Sequence, residues 1–287
     1  MQILHTVRQL QSYCHGKDIA FIPTMGYLHE GHLSLVRQAA HLNSEILVSI
    51  FVNPLQFHDP TDYEKYPRNS EHDLALLSRE RVGAVFLPTV QEIYPRGYPK
   101  IRLWHPLMAE LCGKYRPGHF EGVLYIVHNL FMWVRPRYAL FGKKDYQQLR
   151  LIQAMNEELS LGVQIIPCAT VRDKDGLAMS SRNARLTQEG RKLARIIPLA
   201  LHGAAKLAQE GASADAIAHF FSEKLSSFRW DYAGAFDPHT LSPLRDKNSC
   251  QNALLALAVY IEGVRLIDNV LTNDKEALNL LEKLVGE

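Results

Sequence analysis

The sequence is poor in cysteine. Its four residues, Cys14, Cys112, Cys168 and Cys250, are dispersed with no Cys-x-x-Cys pair, so neither a disulfide framework nor a structural zinc site is indicated. That usage fits a reducing cytoplasm. Long hydrophobic runs are missing as well: the most apolar stretches, residues 123–134 and 253–261, fall short of the ~18 residues that a membrane span needs. MQILHTVRQL lacks the apolar core of an export signal. Neither secretion nor membrane insertion is expected. Charge of one sign is not in excess either, since 32 Lys and Arg against 30 Asp and Glu leave a net +2. No whole-molecule field therefore points to nucleic acid or an anionic membrane, and any basic site must be local. Two nucleotide signatures are absent, Gly-x-x-x-x-Gly-Lys-[Ser/Thr] and Gly-x-Gly-x-x-Gly, which counts against P-loop nucleotidases and dinucleotide enzymes.

What is present suffices for a sizeable core and two domains, with 47% hydrophobic residues in 287. Residues 19–22 form a continuous apolar run, as expected of a parallel strand covered on both faces. The turn PTMGYLHEGH follows, then a helical pattern in Leu33, Val36 and Ala40. A strand, a glycine-bearing turn and a helix N-terminus make an anion site, because free N–H groups and the positive dipole end point above the strand. His29 and His32 flank Gly31, where a ligand could approach the backbone. Taken alone, they could equally be capping or core residues.

Residues 46–52 read as a second strand, stopped by Asn53-Pro54, and a parallel right-handed crossover is implied. Gln56 then lies at a strand's carboxyl end, as a substrate contact or as an ordinary turn amide. Residues 2–15 read as a helix and 63–68 as a polar loop. Ser70 with Asp73 resembles a capping box, and 84–88 is a third strand. Leu107 to Cys112 suggests a short helix. The basic loop 114–120 would close over phosphates or lie solvated, and 122–134 is a deeply packed helix. A fourth strand, 138–141, meets Gly142-Lys143-Lys144-Asp145, which opens another helix. Lys144 offers a point charge; Asp145 offers a cap, or a ribose or metal partner. After a fifth strand at 163–167, residues 171–183 hold a turn at Asp175-Gly176 and a cluster of donors, Ser180, Ser181 and Arg182, suited to polyphosphate. From Thr187 the pattern becomes helical, to 210 and again from Ser213 to 228. Strands follow at 232–236, 254–260 and 264–267. The expected fold is α/β: a Rossmann-like parallel sheet in residues 1–175 and a smaller α+β lid domain in 176–287 that carries the Ser-Ser-Arg loop.

The His-x-Gly-His turn followed by Met179-Ser180-Ser181-Arg182 resembles the nucleotidyl-transferring superfamily that pairs such a turn with a Lys-Met-Ser-Lys-Ser-like loop. More specifically, PTMGYLHEGH, FVNPLQF, YPR, RPGHF, FGKKDYQQL, RDKDGLAMSSRN and RLIDN, in order over residues 23–269, resemble the pantothenate synthetase (pantoate–β-alanine ligase) family. The resemblance implies ATP-dependent condensation of (R)-pantoate with β-alanine through a pantoyl adenylate, releasing AMP and pyrophosphate, with Mg2+, in a cytoplasmic homodimer. It implies that Met25, Gly26, Tyr27, Leu28, His29, Glu30, Gly31 and His32 line the nucleotide, His32 being the proton donor. Gly142, Lys143, Lys144 and Asp145 would hold ribose and phosphates, Val171 the adenine edge, and Met179, Ser180, Ser181 and Arg182 the departing pyrophosphate. Gln56 and Gln148 would bind pantoate, with β-alanine attacking near Gln56. No resident metal ligands are assigned. Glu121, Tyr125 and Cys112 depart from the family's usual residues.

Overall fold

Six parallel strands make the first sheet: β1 (Gln2–Leu4), β2 (Ile19–Thr24), β3 (Glu45–Ile50), β4 (Ala84–Phe86), β5 (Tyr138–Gly142) and β6 (Gln164–Cys168). The computed structural model describes residues 1–57, 59–245 and 250–285. The chain divides into two compact units. One comprises Met1–Met108, Arg116–Lys143 and Gln148–Cys168; the other comprises Ala109–Tyr115, Lys144–Gln147 and Ala169–Glu287. The expected single boundary after residue 175 thus lies seven residues beyond the observed change at Cys168, and two short earlier segments belong with the C-terminal unit.

In the first unit the strand order is β1-β4-β3-β2-β5-β6. From β2 the chain winds outward through β3 and β4, then returns to lay β5 on the other side of β2. The order therefore reverses between β2 and β5, and the crevice at the carboxyl ends of such a pair is where open α/β sheets bind ligands. The two glycine-bearing turns singled out above leave these two strands. The central strands read as unbroken apolar runs because both their faces are covered: Ile19, Ala20, Phe21 and Ile22 are all fully buried. Helix Glu30–Ala39 buries Leu33, Leu35, Val36 and Ala39 against this core.

The N-terminal helix expected over 2–15 starts later. Residues 2–4 instead pair with β4, and the helix Val7–Cys14 begins after Thr6, whose hydroxyl accepts from Gln9 N–H while the Gln9 side chain accepts from Thr6 N–H. This reciprocal capping box fixes the start, and the sheet edge claims what precedes it. The expected loop 63–68 begins inside a helix, Pro60–Glu64, capped by Asp59. Helix Ser70–Leu77 is capped by Asn69, not Ser70, which leaves Asp73 for another task.

The second unit is built on an antiparallel sheet, β7 (Trp230–Phe236), β8 (Leu254–Ile261) and β9 (Val264–Leu271), in that order. Central β8 is buried along nearly its whole length. Helix Ile196–Gln209 packs on it through a stripe of small residues, Ala200, Ala204, Ala205 and Ala208. The long helix expected from Thr187 is two helices, Gln188–Ala194 and Ile196–Gln209. Pro198 explains the break, since it has no N–H to donate to the carbonyl of Ala194. The helix capped by Ser213 ends at Lys224, short of 228. A last helix, Lys275–Val285, was not anticipated. Among the described residues no helix is long and apolar enough to cross a membrane.

Candidate functional site

At the end of β2 the backbone is bent into a cradle. Gly26 and Tyr27 both have positive φ, 79° and 51°. A non-glycine residue holds that conformation only where its surroundings impose it. Here Asp73 does so: its two carboxylate oxygens accept from Tyr27 N–H at 2.8 Å and Leu28 N–H at 2.7 Å. The side chain is 1% exposed as a residue, and burial pushes its carboxyl above the ordinary range against the opposing pull of the two N–H donors. A Cβ on Gly26 would sit 2.9 Å from an Asp73 oxygen, so the glycine is needed for contact as well as for φ.

His29 is the N-cap of the next helix, and its backbone N–H donates to Nδ1 of His32 at 3.3 Å. Because Nδ1 accepts, the ring's own N–H sits on Nε2, the atom farther from the helix. The two imidazoles lie 4.1 Å apart, on one helix face as the three-residue spacing requires. Glu30 points elsewhere, its carboxylate paired with Arg37. Leu28 is buried in the core rather than offered to a ligand.

The turn after β3 is more elaborate than a solvent-exposed amide. Gln56 is 7% exposed. Its Nε2 donates to Met25 Sδ at 2.8 Å and its Oε1 accepts from Asn53 at 3.3 Å. Asn53 is in turn held by Tyr94 OH at 2.6 Å and by the carbonyl of Gly122 at 3.0 Å. His119 Nδ1 meets the Gln56 carbonyl at 2.7 Å while its Nε2 faces Arg116 at 2.9 Å. Arginine can only donate, so Nε2 accepts and Nδ1–H donates to Gln56. Gly122 lets helix His119–Val134 lie directly on this turn: a Cβ there would be 2.3 Å from the carbonyl oxygen of Leu55. Asn53, His119, Tyr94 and Gly122 were not assigned roles from sequence, although FVNPLQF and RPGHF contain two of them.

At the end of β5 the chain passes from Gly142 and Lys143 in the first unit to Lys144 and Asp145 in the second. Lys144 is 17% exposed at its side chain, with its ammonium 3.9 Å from Asp145, and its carbonyl accepts from Asn269 Nδ2 at 2.7 Å. Gln147 is buried and donates to the Glu110 carbonyl at 2.7 Å; Gln148, the predicted pantoate ligand, is half-buried in the first unit. Within the second unit, residues 171–179 form a hairpin. Met179 N–H donates to Val171 and Asp173 N–H to Leu177, both at 2.9 Å, and Gly176 supplies the positive φ of the turn. Arg191 clamps it through Asp173 and Asp175 at 2.6 Å each. Ser180 Oγ then accepts from Arg182 N–H at 3.3 Å and caps a short turn, Ser181–Arg185. The predicted residues thus fall in two groups. His29, His32, Met25, Gln56 and Gln148 belong to the first unit; Lys144, Asp145, Val171 and Ser180 to Arg182 belong to the second.

Comparison with known proteins gives this geometry a context. The family model described as pantoate-beta-alanine ligase matches residues 2–271. The chain belongs to that family. A pantothenate synthetase of Thermodesulfovibrio yellowstonii is 46% identical over 260 residues, 89% of this chain and 92% of that one. Another, of Moorella thermoacetica, is 43% identical over 279 residues, 94% and 98% of the two chains. The pantothenate synthetase structure from Thermus thermophilus superposes with a TM-score of 0.90 at 40% identity, covering 95% of this chain and 99% of that chain. The pantoate-beta-alanine ligase of Francisella tularensis, complexed with beta-gamma ATP and beta-alanine, gives 0.78 at 33% identity, covering 95% and 98%. As a pantoate–β-alanine ligase family member, the chain is an ATP-using enzyme. Glu121, Tyr125 and Cys112, expected above to differ from the family's usual residues, have definite surroundings. Tyr125 stacks on Tyr94 with centroids 6.2 Å apart, and Glu121 lies in the first helical turn, favourable to the dipole. Cys112 Sγ meets Tyr232 OH at 3.2 Å and Arg265 at 3.4 Å.

Proposed function

We propose that this enzyme condenses (R)-pantoate with β-alanine in two steps. First, a pantoate carboxylate oxygen attacks the α-phosphorus of ATP; the bond to pyrophosphate breaks and a pantoyl adenylate forms. Then the β-alanine amine attacks the acyl carbon, the amide forms, and AMP leaves. The observation that carries this reading is the lock between His29 N–H and His32 Nδ1 at the strand-order reversal. It leaves the ring's N–H on Nε2, from which it would donate to a phosphate oxygen whose charge grows as pyrophosphate departs.

The remaining roles follow from chemistry. Lys144 neutralises phosphate charge as a compact ammonium, and Arg182 with Ser180 and Ser181 takes the pyrophosphate oxygens. Met25 to Gly31, Gly142, Lys143, Asp145, Val171 and Met179 line the nucleotide, with Glu30 and Leu28 contributing backbone only. Gln56 and Gln148 pair pantoate's hydroxyls and carboxylate; buried amides discriminate against analogues lacking these groups because a partner is then left unmatched. Among the described residues no three His, Cys, Asp or Glu side chains converge to hold a metal ion. Mg2+ is held elsewhere by one or two carboxylates plus phosphates; here Asp145 would be the carboxylate to hold it against ATP, and it would supply charge neutralisation. Two copies associate in the cytoplasm; light scattering should return twice the 32.6 kDa chain mass.

The test is pantoate-dependent exchange of labelled pyrophosphate into ATP, with net AMP formed only when β-alanine is added. AMP release indifferent to β-alanine would instead identify a nucleotidyltransferase that ends at the adenylate. Oxygen-18 in the pantoate carboxylate should appear in AMP.

A further inference from the structure

One quoted motif, RLIDN at residues 265–269, has no part in the chemistry above, yet it lies in β9 and each of its polar side chains holds a different segment. Arg265 Nε donates to Asp231 at 2.7 Å and its Nη1 to Cys112 Sγ at 3.4 Å, fastening segment 109–115. Asp268, 2% exposed, takes Arg172 in a two-pronged pair at 2.6 and 3.0 Å; Arg172 also donates to the Gly176 carbonyl at 3.0 Å. Those bonds fix the first strand and the turn of the hairpin that runs into Met179-Ser180-Ser181-Arg182. Asn269 Nδ2 donates to the Lys144 carbonyl at 2.7 Å, and its N–H to Asp268 Oδ1 at 2.8 Å. Successive strand residues point to opposite faces. Two neighbouring residues, ~3.8 Å apart at Cα, therefore grip the two phosphate motifs from either face of one strand.

We propose that Asp268 and Asn269 are positioning residues that hold Lys144 and the Ser-Ser-Arg loop in fixed register for the ATP phosphates, with Arg265 steadying segment 109–115 beside them. This rests on Lys144 and Ser180 to Arg182 being the ATP-handling groups. Neither Asp268 nor Asn269 touches substrate; each acts through backbone or through Arg172. Two of the three tethered segments, 109–115 and 144–147, are the excursions by which the earlier chain joins the C-terminal unit, and β9 holds each through one side chain, beside the contacts of Cys112 and Tyr115 with Tyr232 on β7.

The decisive variant is Asn269→Ala, which removes one amide donor from a half-buried position and leaves the Arg172 pair intact. A misplacement of about 1 Å in a phosphate ligand costs on the order of 10²-fold. We expect at least about 10-fold lower kcat/KM for ATP in pantoate-dependent pyrophosphate exchange, while chemically prepared pantoyl adenylate reacts with β-alanine at the wild-type rate. Asp268→Asn, which keeps the shape but removes the charge facing Arg172, should show the same split. Equal loss in both half-reactions would mark a merely structural role and overturn the proposal, as would unchanged exchange in Asn269→Ala. Lys144→Ala and Arg182→Ala run alongside. Exchange unaffected by those two would instead sink the assignment of the ATP groups, and the proposal with it.

Discussion

Gly122→Ala adds one methyl group at the place where helix His119–Val134 meets the turn carrying Gln56. The new Cβ would lie 2.3 Å from Leu55 O, 2.4 Å from Leu55 C and 2.7 Å from Gln56 N, all backbone atoms with no rotamer to yield. Ordinary contact begins at 3.4 Å, so helix and turn must separate by about 1 Å. Overpacking of this kind costs about 1–3 kcal/mol of stability. The functional consequence is larger. The same retreat strains the bonds from Asn53 to the Gly122 carbonyl and from His119 to the Gln56 carbonyl, which hold the Gln56 amide. A 1 Å displacement of a substrate-positioning group is worth roughly 10²-fold. Thermal unfolding followed by circular dichroism should show a lowered but cooperative transition, and exchange kinetics below it should show raised KM for pantoate with lower kcat. ATP binding, measured by calorimetry, should be little altered, because the nucleotide groups lie on other turns. Wild-type stability together with wild-type pantoate kinetics would refute the claim that this contact sets the position of Gln56.

Four further outcomes are expected. His32→Ala should remove about 3 kcal/mol of transition-state stabilisation, roughly 10²-fold in turnover, with pantoate affinity little changed in steady-state kinetics. Asp73→Asn turns one acceptor toward an N–H as a donor, leaving Tyr27 or Leu28 N–H unmatched; denaturant titration should register about 1–3 kcal/mol of lost stability. For Asp175, burial pushes the carboxyl up, but Arg191 and Leu177 N–H outweigh it and hold it below its ordinary 3.8. Its contribution is therefore present above that value and lost as pH falls through the lower folded value, so Asp175→Asn should flatten the acid limb of a stability-against-pH curve. Burial pushes Cys168 up to about 12 and Cys14 to about 11, so neither should react with Ellman's reagent at pH 8 until the chain is unfolded.

The parts of the fold that were legible in sequence are those whose signal is local. The central strands are continuous apolar runs because their faces are covered, and the turns after them are marked by glycine, proline and histidine. The three-residue β1 was not legible: Gln2, Ile3 and Leu4 have no alternation to read, and only their pairing with Ala84, Val85 and Phe86 makes them a strand. The break at Arg195 was written in Pro198, where helical periodicity on both sides concealed it. In the site, the histidine turn stood out because capping chemistry and spacing are local properties of five residues.

Its supports were hidden for the opposite reason. Asp73 satisfies a local pattern, three residues into a helix behind capping side chains, which accounts for it without any distant partner. Yet the carboxylate serves N–H groups of Tyr27 and Leu28, more than forty residues upstream. Asp268 and Arg172 are separated by 96 positions and Asn269 and Lys144 by 125. No window along the chain can contain such a pair. A buried charge nevertheless imposes a demand that sequence does reveal: Asp268 stands in the apolar strand β9, its side chain and that of Arg172 are buried, and a charge buried without a partner is too costly to persist. An ionisable residue inside an apolar run therefore signals an unseen partner, and the polar residues of RLIDN, set in a strand of otherwise aliphatic side chains, carry that signal.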